Sequence, residues 1–163
     1  MTREAEFDRL FAEHAGPLRA FLYYRTGDRA LSDDLVADTF ERVLTARRPF
    51  DRRRGSEKTW LYSIALNLLR DHARRAAAAE RSLERVAAGE REQSPYEGLE
   101  HVDQRDAVQR GLAHLSAEER EAIALRYGAD LTVPEIAKLT GEKLTTVEGR
   151  VYRALRKLKE DFG

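Results

Sequence analysis

The sequence predicts an all-α fold of two small helical domains joined by a flexible linker, the C-terminal one a helix-turn-helix. Apolar residues recur at helical spacing along most of the chain. Three pairs of the S/T-x-x-E type, which satisfy the open backbone N–H groups at a helix start, precede such segments. Glycine and proline interrupt residues 87–100, so we place the linker there, between domains at residues 1–86 and 101–163.

The composition excludes several classes of protein. Charged residues make up 36% of the 163 residues, and no apolar run approaches the roughly 18 residues of a membrane span. We expect no membrane insertion and no signal peptide, because polar residues directly follow Met1. The absence of cysteine excludes disulfides, thiolate metal sites and a cysteine nucleophile, and it is typical of a cytoplasmic protein.

The net charge is zero, but the charges are unevenly distributed. Residues 45–85 carry eleven basic and five acidic groups, a net charge of +6, and residues 143–159 carry six and one, a net charge of +5. Residues 1–44 and 86–114 each carry a net charge of −3. Two basic zones beside acidic ones favour two separate DNA contacts plus an acidic surface for a partner.

The first two elements are predicted over residues 3–26. Two apolar stripes, separated by Gly16 and Pro17, predict two helices there. His14 falls on the first stripe, and we interpret it as a half-buried packing residue. The stripes contain Phe7, Leu10 and Phe11, then Leu18, Phe21 and Leu22.

The next helix is predicted over residues 33–46, with Ser32 as its N-cap. Asp34, Asp38 and Glu41 are spaced at i, i+4 and i+7, on the face opposite the apolar residues. Two interpretations remain open for them. They form either an ordinary solvated face or a docking stripe for a basic partner.

Residues 47–58 predict a charged loop in which Phe50 stands among five arginines. A flat ring beside cations suits single-stranded nucleic acid, because the ring stacks on a base and the cations attract phosphates. Arg53 and Lys58 are candidate cations for such a strand. Alternatively, Phe50 packs under the loop as a small extension of the core.

A long helix is predicted from Thr59 to about Val86, either continuous or broken near Arg75. Its apolar side faces a core, and one edge carries polar and basic side chains beside the single tryptophan. Such an edge could contact a base and a phosphate backbone, although a solvated basic face explains the same composition. The edge consists of Trp60, Ser63, Asn67, Arg70 and Arg74.

Residues 101–127 predict two further helices. Val102, Val108, Leu112 and Leu115 lie on one face of the first. The second begins with the capping pair of Ser116 and Glu119 and ends at Gly128.

Residues 131–159 predict a helix-turn-helix, the motif whose second helix enters the DNA major groove. Thr132 and Glu135 form a capping pair, and Gly141 supplies the left-handed residue of the turn. Thr145 and Glu148 form a capping pair for the second helix, which is predicted to end at Lys159.

The second helix of this motif has one apolar and one basic side. A solvated surface helix packed on its neighbour would show the same pattern. We expect Val147, Val151, Ala154 and Leu158 to face the first helix, and Leu155 falls on the same apolar side. The candidate DNA face comprises Gly149, Tyr152, Arg153 and Arg156, flanked by Thr146, Arg150 and Lys157.

Three segments together resemble an extracytoplasmic-function (ECF) sigma factor of the sigma-70 family. They are DDLVADTFERVL at residues 33–44, TWLYSIALNLLRDHARR at residues 59–75, and the stretch from Leu115 to Leu158. Nearly the whole chain is covered, in the order and spacing typical of these two-domain initiation factors of bacterial RNA polymerase. The pairing of the helix-turn-helix with the stretch that begins at Trp60 is the most specific part.

The resemblance implies a role for each domain. The first would bind core RNA polymerase through Asp34, Asp38 and Glu41 and melt the promoter at the −10 element. There Asn67 would line a pocket for a flipped-out base, beside Phe50 and Trp60. The wider −10 set would be Phe50, Arg53, Lys58, Trp60, Ser63, Asn67, Arg70 and Arg74.

The second domain would contact the −35 element of promoter DNA. The −35 set would be Thr145, Thr146, Glu148, Gly149, Arg150, Tyr152, Arg153 and Arg156. The resemblance further implies an anti-sigma factor as a partner. It implies no cofactor, no metal and no small-molecule substrate.

This chain departs from the family pattern at several positions. Ala37 stands where relatives often carry glutamine in the polymerase-binding motif, and Glu142 stands where an apolar residue is common. Glu148 and Gly149 replace what is often a basic residue and a serine. Gly149 has no side chain to contact a base, so Tyr152 and Arg153 are the stronger candidates.

Two other classes of function compete with this interpretation. A stand-alone helix-turn-helix regulator, acting without polymerase docking, explains residues 131–159 but leaves residues 33–75 unexplained. A small helical enzyme has less support. The four histidines show no metal-ligand spacing, and no catalytic triad or phosphate-binding glycine motif occurs.

Overall fold

The computed structural model describes residues 2–46, 50–84 and 110–162, apart from the side chains of Arg54, Glu84 and Phe162. The described residues are almost entirely helical. The helices are α1 (Arg3–Thr26), α2 (Arg29–Thr45), α3 (Glu57–Glu84), α4 (Ala117–Ile123), α5 (Val133–Thr140) and α6 (Leu144–Phe162). A 3₁₀ turn, Arg52–Arg54, precedes α3, and a π-helical turn, Ala124–Gly128, continues α4. None of the described helices is long and apolar enough to cross a membrane.

Helix α1 is a single helix, so the prediction of two helices over residues 3–26 was wrong. Pro17 lies inside it, where it removes one backbone hydrogen bond. Gly16 and Pro17 are exposed, so water reaches the backbone at this point. Apolar residues on both sides of the proline are buried in the same core, and this packing outweighs the local preference for a break.

Helix α2 begins at Arg29, four residues before the predicted start, so Ser32 is not its N-cap. Asp28 caps the helix instead, by accepting a hydrogen bond from the Leu31 amide at 3.0 Å. Ser32 is buried, 1% exposed, and its hydroxyl donates to the Asp28 carbonyl at 2.7 Å. Both residue types are good caps, and the tertiary packing decided between them.

Helix α3 is continuous from Glu57 to Glu84, without a break near Arg75. The predicted linker at 87–100, as well as Val102 and Val108, lies outside the described residues. The domain boundaries at 86 and 101 therefore stay a prediction.

The helix-turn-helix forms as predicted, apart from one cap. Thr132 and Glu135 make the capping box of α5, and Gly141 takes the left-handed conformation, with φ of 72°. Helix α6 begins at Leu144, so Thr145 lies inside its first turn and cannot cap it with Glu148. Leu155, on the apolar side of α6, is 41% exposed.

The described residues up to Glu84 (the first half of the chain) and those from Arg110 onward (the second half) share one continuous core. The π-helical turn packs on α1, where Gly128 lies against Phe21 and Tyr24. A Cβ added at Gly128 would lie 3.8 Å from the ring of Tyr24, which is ordinary van der Waals contact. The contact between the π-helical turn and α1 therefore does not itself require glycine at position 128.

Candidate nucleic-acid interfaces

An open cavity between the end of α2 and the middle of α3 contains two of the predicted base contacts, Trp60 and Asn67. Its volume of about 420 Å³ lies within the roughly 300–1,000 Å³ of ligand-binding pockets. Asn67 is exposed, and its amide has no hydrogen-bond partner among the described residues. Apolar and polar side chains line the cavity: Arg42, Thr45, Ala46, Trp60, Ile64, Asn67, Leu68 and Asp71.

Phe50 lies beside this cavity, with its ring 5.7 Å from the ring of Trp60 and tilted by 43°. Phe50 is only partly buried, so its ring both packs on Trp60 and leaves a surface open to stacking. Ser63 points its hydroxyl back to the Trp60 carbonyl, at 2.6 Å. This bond occupies the Ser63 donor, whereas the Asn67 amide in the cavity has no partner among the described residues.

Three of the four cations predicted for the −10 surface have partners within the protein. Arg70 lies 3.8 Å from the carboxylate of Glu121, and Arg74 pairs with Asp71 on its own helix. Lys58 donates to the carbonyl of Asp130 at 3.4 Å. Arg53 is exposed and makes no ion pair among the described residues.

On α6, the cations divide into paired and unpaired ones. Arg150 pairs with Glu142 of the turn, and both side chains are less than a third exposed. Lys157 binds Glu119 of α4 at 2.7 Å. Arg153 and Arg156 are exposed and have no acidic partner among the described residues.

The outer face of α6 therefore consists mainly of Tyr152, Arg153 and Arg156. Tyr152 is 66% exposed. The guanidinium of Arg153 lies over Gly149, where an added Cβ would be 3.1 Å from Nη1. Thr145 and Glu148 are exposed, and Thr146 is half-buried. An exposed face with a phenol and two free guanidinium groups can contact both base edges and phosphates.

The ion pair between Glu119 and Lys157 was not predicted from the sequence. Glu119 is 5% exposed. Burial on its own would raise the pKa of this carboxyl, but hydrogen bonds from Lys157 and Ser116 outweigh burial and hold the pKa below its usual value. The capping motif at Ser116 identified Glu119, but no local pattern could show that Lys157, 38 residues later, reaches it.

The acidic stripe is exposed as its spacing predicts. Asp34, Asp38 and Glu41 lie on the outer face of α2, and none of them has an ion-pair partner among the described residues. Leu44, one turn after Glu41, is 52% exposed. Unpaired carboxylates beside an apolar side chain can bind a basic, partly apolar partner surface.

A cluster at the start of α3 has a structural role. Arg9 binds Glu57 through two hydrogen bonds, at 2.8 and 3.0 Å, and so joins α1 to α3. The hydrogen bond from Arg9 is the main reason why the pKa of Glu57 is lowered. His14 lies 3.8 Å from Glu57 and is largely buried, in accord with its predicted packing role.

These features define a helix-turn-helix DNA-binding protein with a second, aromatic basic surface. Comparison with known proteins identifies the family. The family model "Sigma-70 region 2" matches residues 10–79, and "Sigma-70, region 4" matches residues 105–158. The chain belongs to the ECF sigma factors of the sigma-70 family.

Among the relatives, ECF sigma factor BldN of Streptomyces coelicolor is 32% identical over 158 residues. That match covers 93% of this chain but only 58% of the relative. ECF sigma factor SigC of Mycobacterium tuberculosis is 31% identical over 137 residues, which cover 82% of this chain and 71% of the relative.

Two solved structures share the arrangement of helices. Sigma factor RpoE from Bartonella quintana, in complex with the anti-sigma factor NepR, superposes with a TM-score of 0.78 at 25% identity, covering 96% of both chains. CnrH, in complex with the cytosolic domain of CnrY, superposes with a TM-score of 0.69 at 28% identity, covering 98% of this chain and 88% of CnrH.

Proposed function

We propose that this protein binds core RNA polymerase and directs promoter-specific initiation of transcription through contacts to the −10 and −35 elements. The observation that carries the proposal is the presence, in one chain, of the Trp60–Asn67 cavity and a helix-turn-helix. A stand-alone regulator needs only the helix-turn-helix. The match of residues 10–79 to sigma region 2 favours a factor that binds polymerase. The protein would act in the cytoplasm, beside polymerase, and would catalyse no reaction itself.

The cavity supplies a physical route to promoter melting without ATP. Removing a base from its stack costs a few kcal/mol, and a prepared pocket recovers part of that cost through stacking and hydrogen bonds. Trp60 and Phe50 would supply the stacking surface, and the free amide of Asn67 would bond to the flipped base. Arg53, Lys58, Arg70 and Arg74 would hold the phosphates of that strand.

Helix α6 would enter the −35 major groove. Tyr152 and Arg153 would reach base edges, and Arg156 would hold a phosphate. Arg150, fixed by Glu142, would mainly orient the helix. Asp34, Asp38 and Glu41 would dock on a basic surface of polymerase. By analogy with the RpoE–NepR and CnrH–CnrY complexes, an anti-sigma factor would be a further partner.

Run-off transcription with purified core polymerase tests the proposal. A template library with varied −10 and −35 elements should yield a subset of promoters transcribed only when this protein is added. Core polymerase alone serves as the control. Equal transcript levels with and without the protein on every template, despite a folded protein, would refute the proposal.

A further inference from the structure

Two cations of α6 are held by carboxylates from other elements, and the two pairs differ in burial. Lys157 binds Glu119, which is buried, so this pair compensates a carboxylate that the core has removed from water. Arg150 binds Glu142, whose side chain is 29% exposed, so water still reaches this carboxylate. Burial therefore fully accounts for the first pair and only partly for the second.

The turn of the helix-turn-helix fixes the place of the Glu142 carboxylate. Gly141 takes the left-handed conformation, and the Glu142 N–H donates to the Ala137 carbonyl at 3.1 Å. Such a bond, from a residue just past the helix back to its last turn, is typical of a helix that ends in glycine. The carboxylate thus extends from a hydrogen-bonded backbone to Arg150, eight residues later.

Arg150 lies where a contact to a DNA phosphate is expected. Arg153, on the exposed face of α6, follows it by three residues, so the two are neighbours on the helix surface. Cations beside such a face hold phosphates, and each phosphate contact adds affinity for every sequence alike. The Arg150 side chain is only 22% exposed and already binds a carboxylate. A phosphate would have to displace Glu142 or bind a guanidinium whose charge is already neutralised.

We propose that Glu142 limits the affinity of α6 for DNA by withholding Arg150 from the phosphate backbone, and that it leaves the choice of sequence unchanged. This inference rests on the proposed contact of α6 with the −35 element. Tyr152 and Arg153 would reach base edges with or without Glu142, because neither side chain takes part in the ion pair. Glu142 acts only through Arg150, as a positioning residue.

The exposure of the pair sets the expected size of the effect. A partly exposed ion pair typically changes an equilibrium by up to about fivefold. One additional phosphate contact steepens the dependence of log affinity on log salt concentration by about 0.9. Releasing Arg150 should therefore raise the affinity for duplex DNA several-fold and make this affinity more sensitive to salt.

Fluorescence anisotropy of a short labelled DNA duplex, titrated with the full chain, tests the inference without polymerase. The test variant is Glu142→Gln, which keeps the size of the side chain and an accepting oxygen but removes the charge. The matched control is Glu160→Gln, an equal charge change at an exposed position of α6. The titration is repeated on several duplexes of equal length and unrelated sequence, at several salt concentrations.

We expect Glu142→Gln to bind every duplex about threefold to fivefold more tightly than the unsubstituted chain at low salt. Its salt dependence should be steeper by about 0.9 in slope. Glu160→Gln should leave both quantities close to those of the unsubstituted chain. A gain no larger than that of Glu160→Gln, a gain confined to one duplex, or no duplex binding by Glu142→Gln at all would overturn the inference.

Replacement of Arg150 distinguishes release of this cation from the mere loss of a negative charge. In a chain that carries Arg150→Gln, adding Glu142→Gln should give little further affinity, because no guanidinium remains to be released. An equal gain in both backgrounds would show that Glu142 repels DNA directly, and would overturn its action through Arg150. Circular dichroism verifies that each variant stays helical. Run-off transcription tests the proposed function separately, so either idea can fail alone.

Discussion

Arg150 of α6 is ion-paired with Glu142 of the turn that precedes this helix, and both side chains are partly buried. A predicted DNA contact is thereby engaged inside the motif. The ion pair thus joins the turn to α6 in this chain.

We predict that Glu142→Ala and Arg150→Ala each destabilise the second half by about 1 kcal/mol, because each leaves the other charge partly buried and unpaired. The double variant should cost less than the sum of the single ones. Urea unfolding curves of the four proteins measure this coupling. Strictly additive effects would show that the pair does not stabilise the turn.

We predict that replacing Gly149 changes both the stability of α6 and the selectivity of the protein for DNA sequences. Gly149→Ala should stabilise α6 by about 1 kcal/mol, because alanine is the better helix former. The added Cβ would lie 3.1 Å from Nη1 of Arg153, so the guanidinium would have to move. We therefore expect a higher melting temperature together with altered preference among −35 sequences, measured by thermal unfolding and by a binding-site selection experiment. An unchanged preference would remove Gly149 from the recognition surface.

Asn67→Ala and Trp60→Ala should block promoter melting more than initial promoter binding. Losing the bonds to an extracted base should cost about 1–3 kcal/mol at the melting step, which is about fivefold to 150-fold in open-complex formation. Permanganate reactivity of unpaired thymines reports melting, and a gel shift of the holoenzyme reports binding. His72→Ala, at an exposed position of the same helix, is the control. Equal loss of both steps would exclude these residues from melting.

The acidic stripe predicts a salt-dependent polymerase contact. Asp38→Lys should weaken binding to core polymerase by about 0.5–1 kcal/mol at low salt, and the difference should shrink as salt screens the charges. Asp8→Lys, on exposed α1 surface, provides the control for net charge. Fluorescence anisotropy titrations at two salt concentrations measure the effect. Identical affinities of both variants would favour an ordinary solvated face.

The buried Glu119 predicts a loss of stability in acid. Its folded-state pKa lies below the usual glutamate value of 4.5. The group therefore contributes stability that is present above pH 4.5 and is lost as the pH falls through the folded-state pKa. Glu119→Gln should destabilise the protein by about 1–2 kcal/mol at neutral pH, and the difference from the unsubstituted protein should shrink in acid.

Glu118→Gln, at an exposed position, should leave the pH profile of stability unchanged. Chemical unfolding at several pH values between neutrality and acid measures both variants. A Glu119→Gln difference that is constant over this range would contradict the assigned role of the carboxylate.

The sequence alone determined the helical class, the helix-turn-helix with Gly141 at its turn, and the family. The helical class and the helix-turn-helix depend on local rules, namely capping pairs, helical periodicity and the left-handed freedom of glycine, which act within a few residues. The family followed instead from the resemblance of three segments. The exposed positions of Asp34, Asp38 and Glu41 followed from the same periodicity.

Only the tertiary structure decided the continuity of α1 through Pro17, the choice of Asp28 rather than Ser32 as the N-cap of α2, and the partners of the charged groups. Arg150 with Glu142, Lys157 with Glu119, and Arg70 with Glu121 are separated by 8, 38 and 51 residues. A charged side chain can be recognised from sequence, but its partner depends on how the whole chain folds back. Burial and ion pairing are collective properties of the packed chain, and local sequence does not contain them.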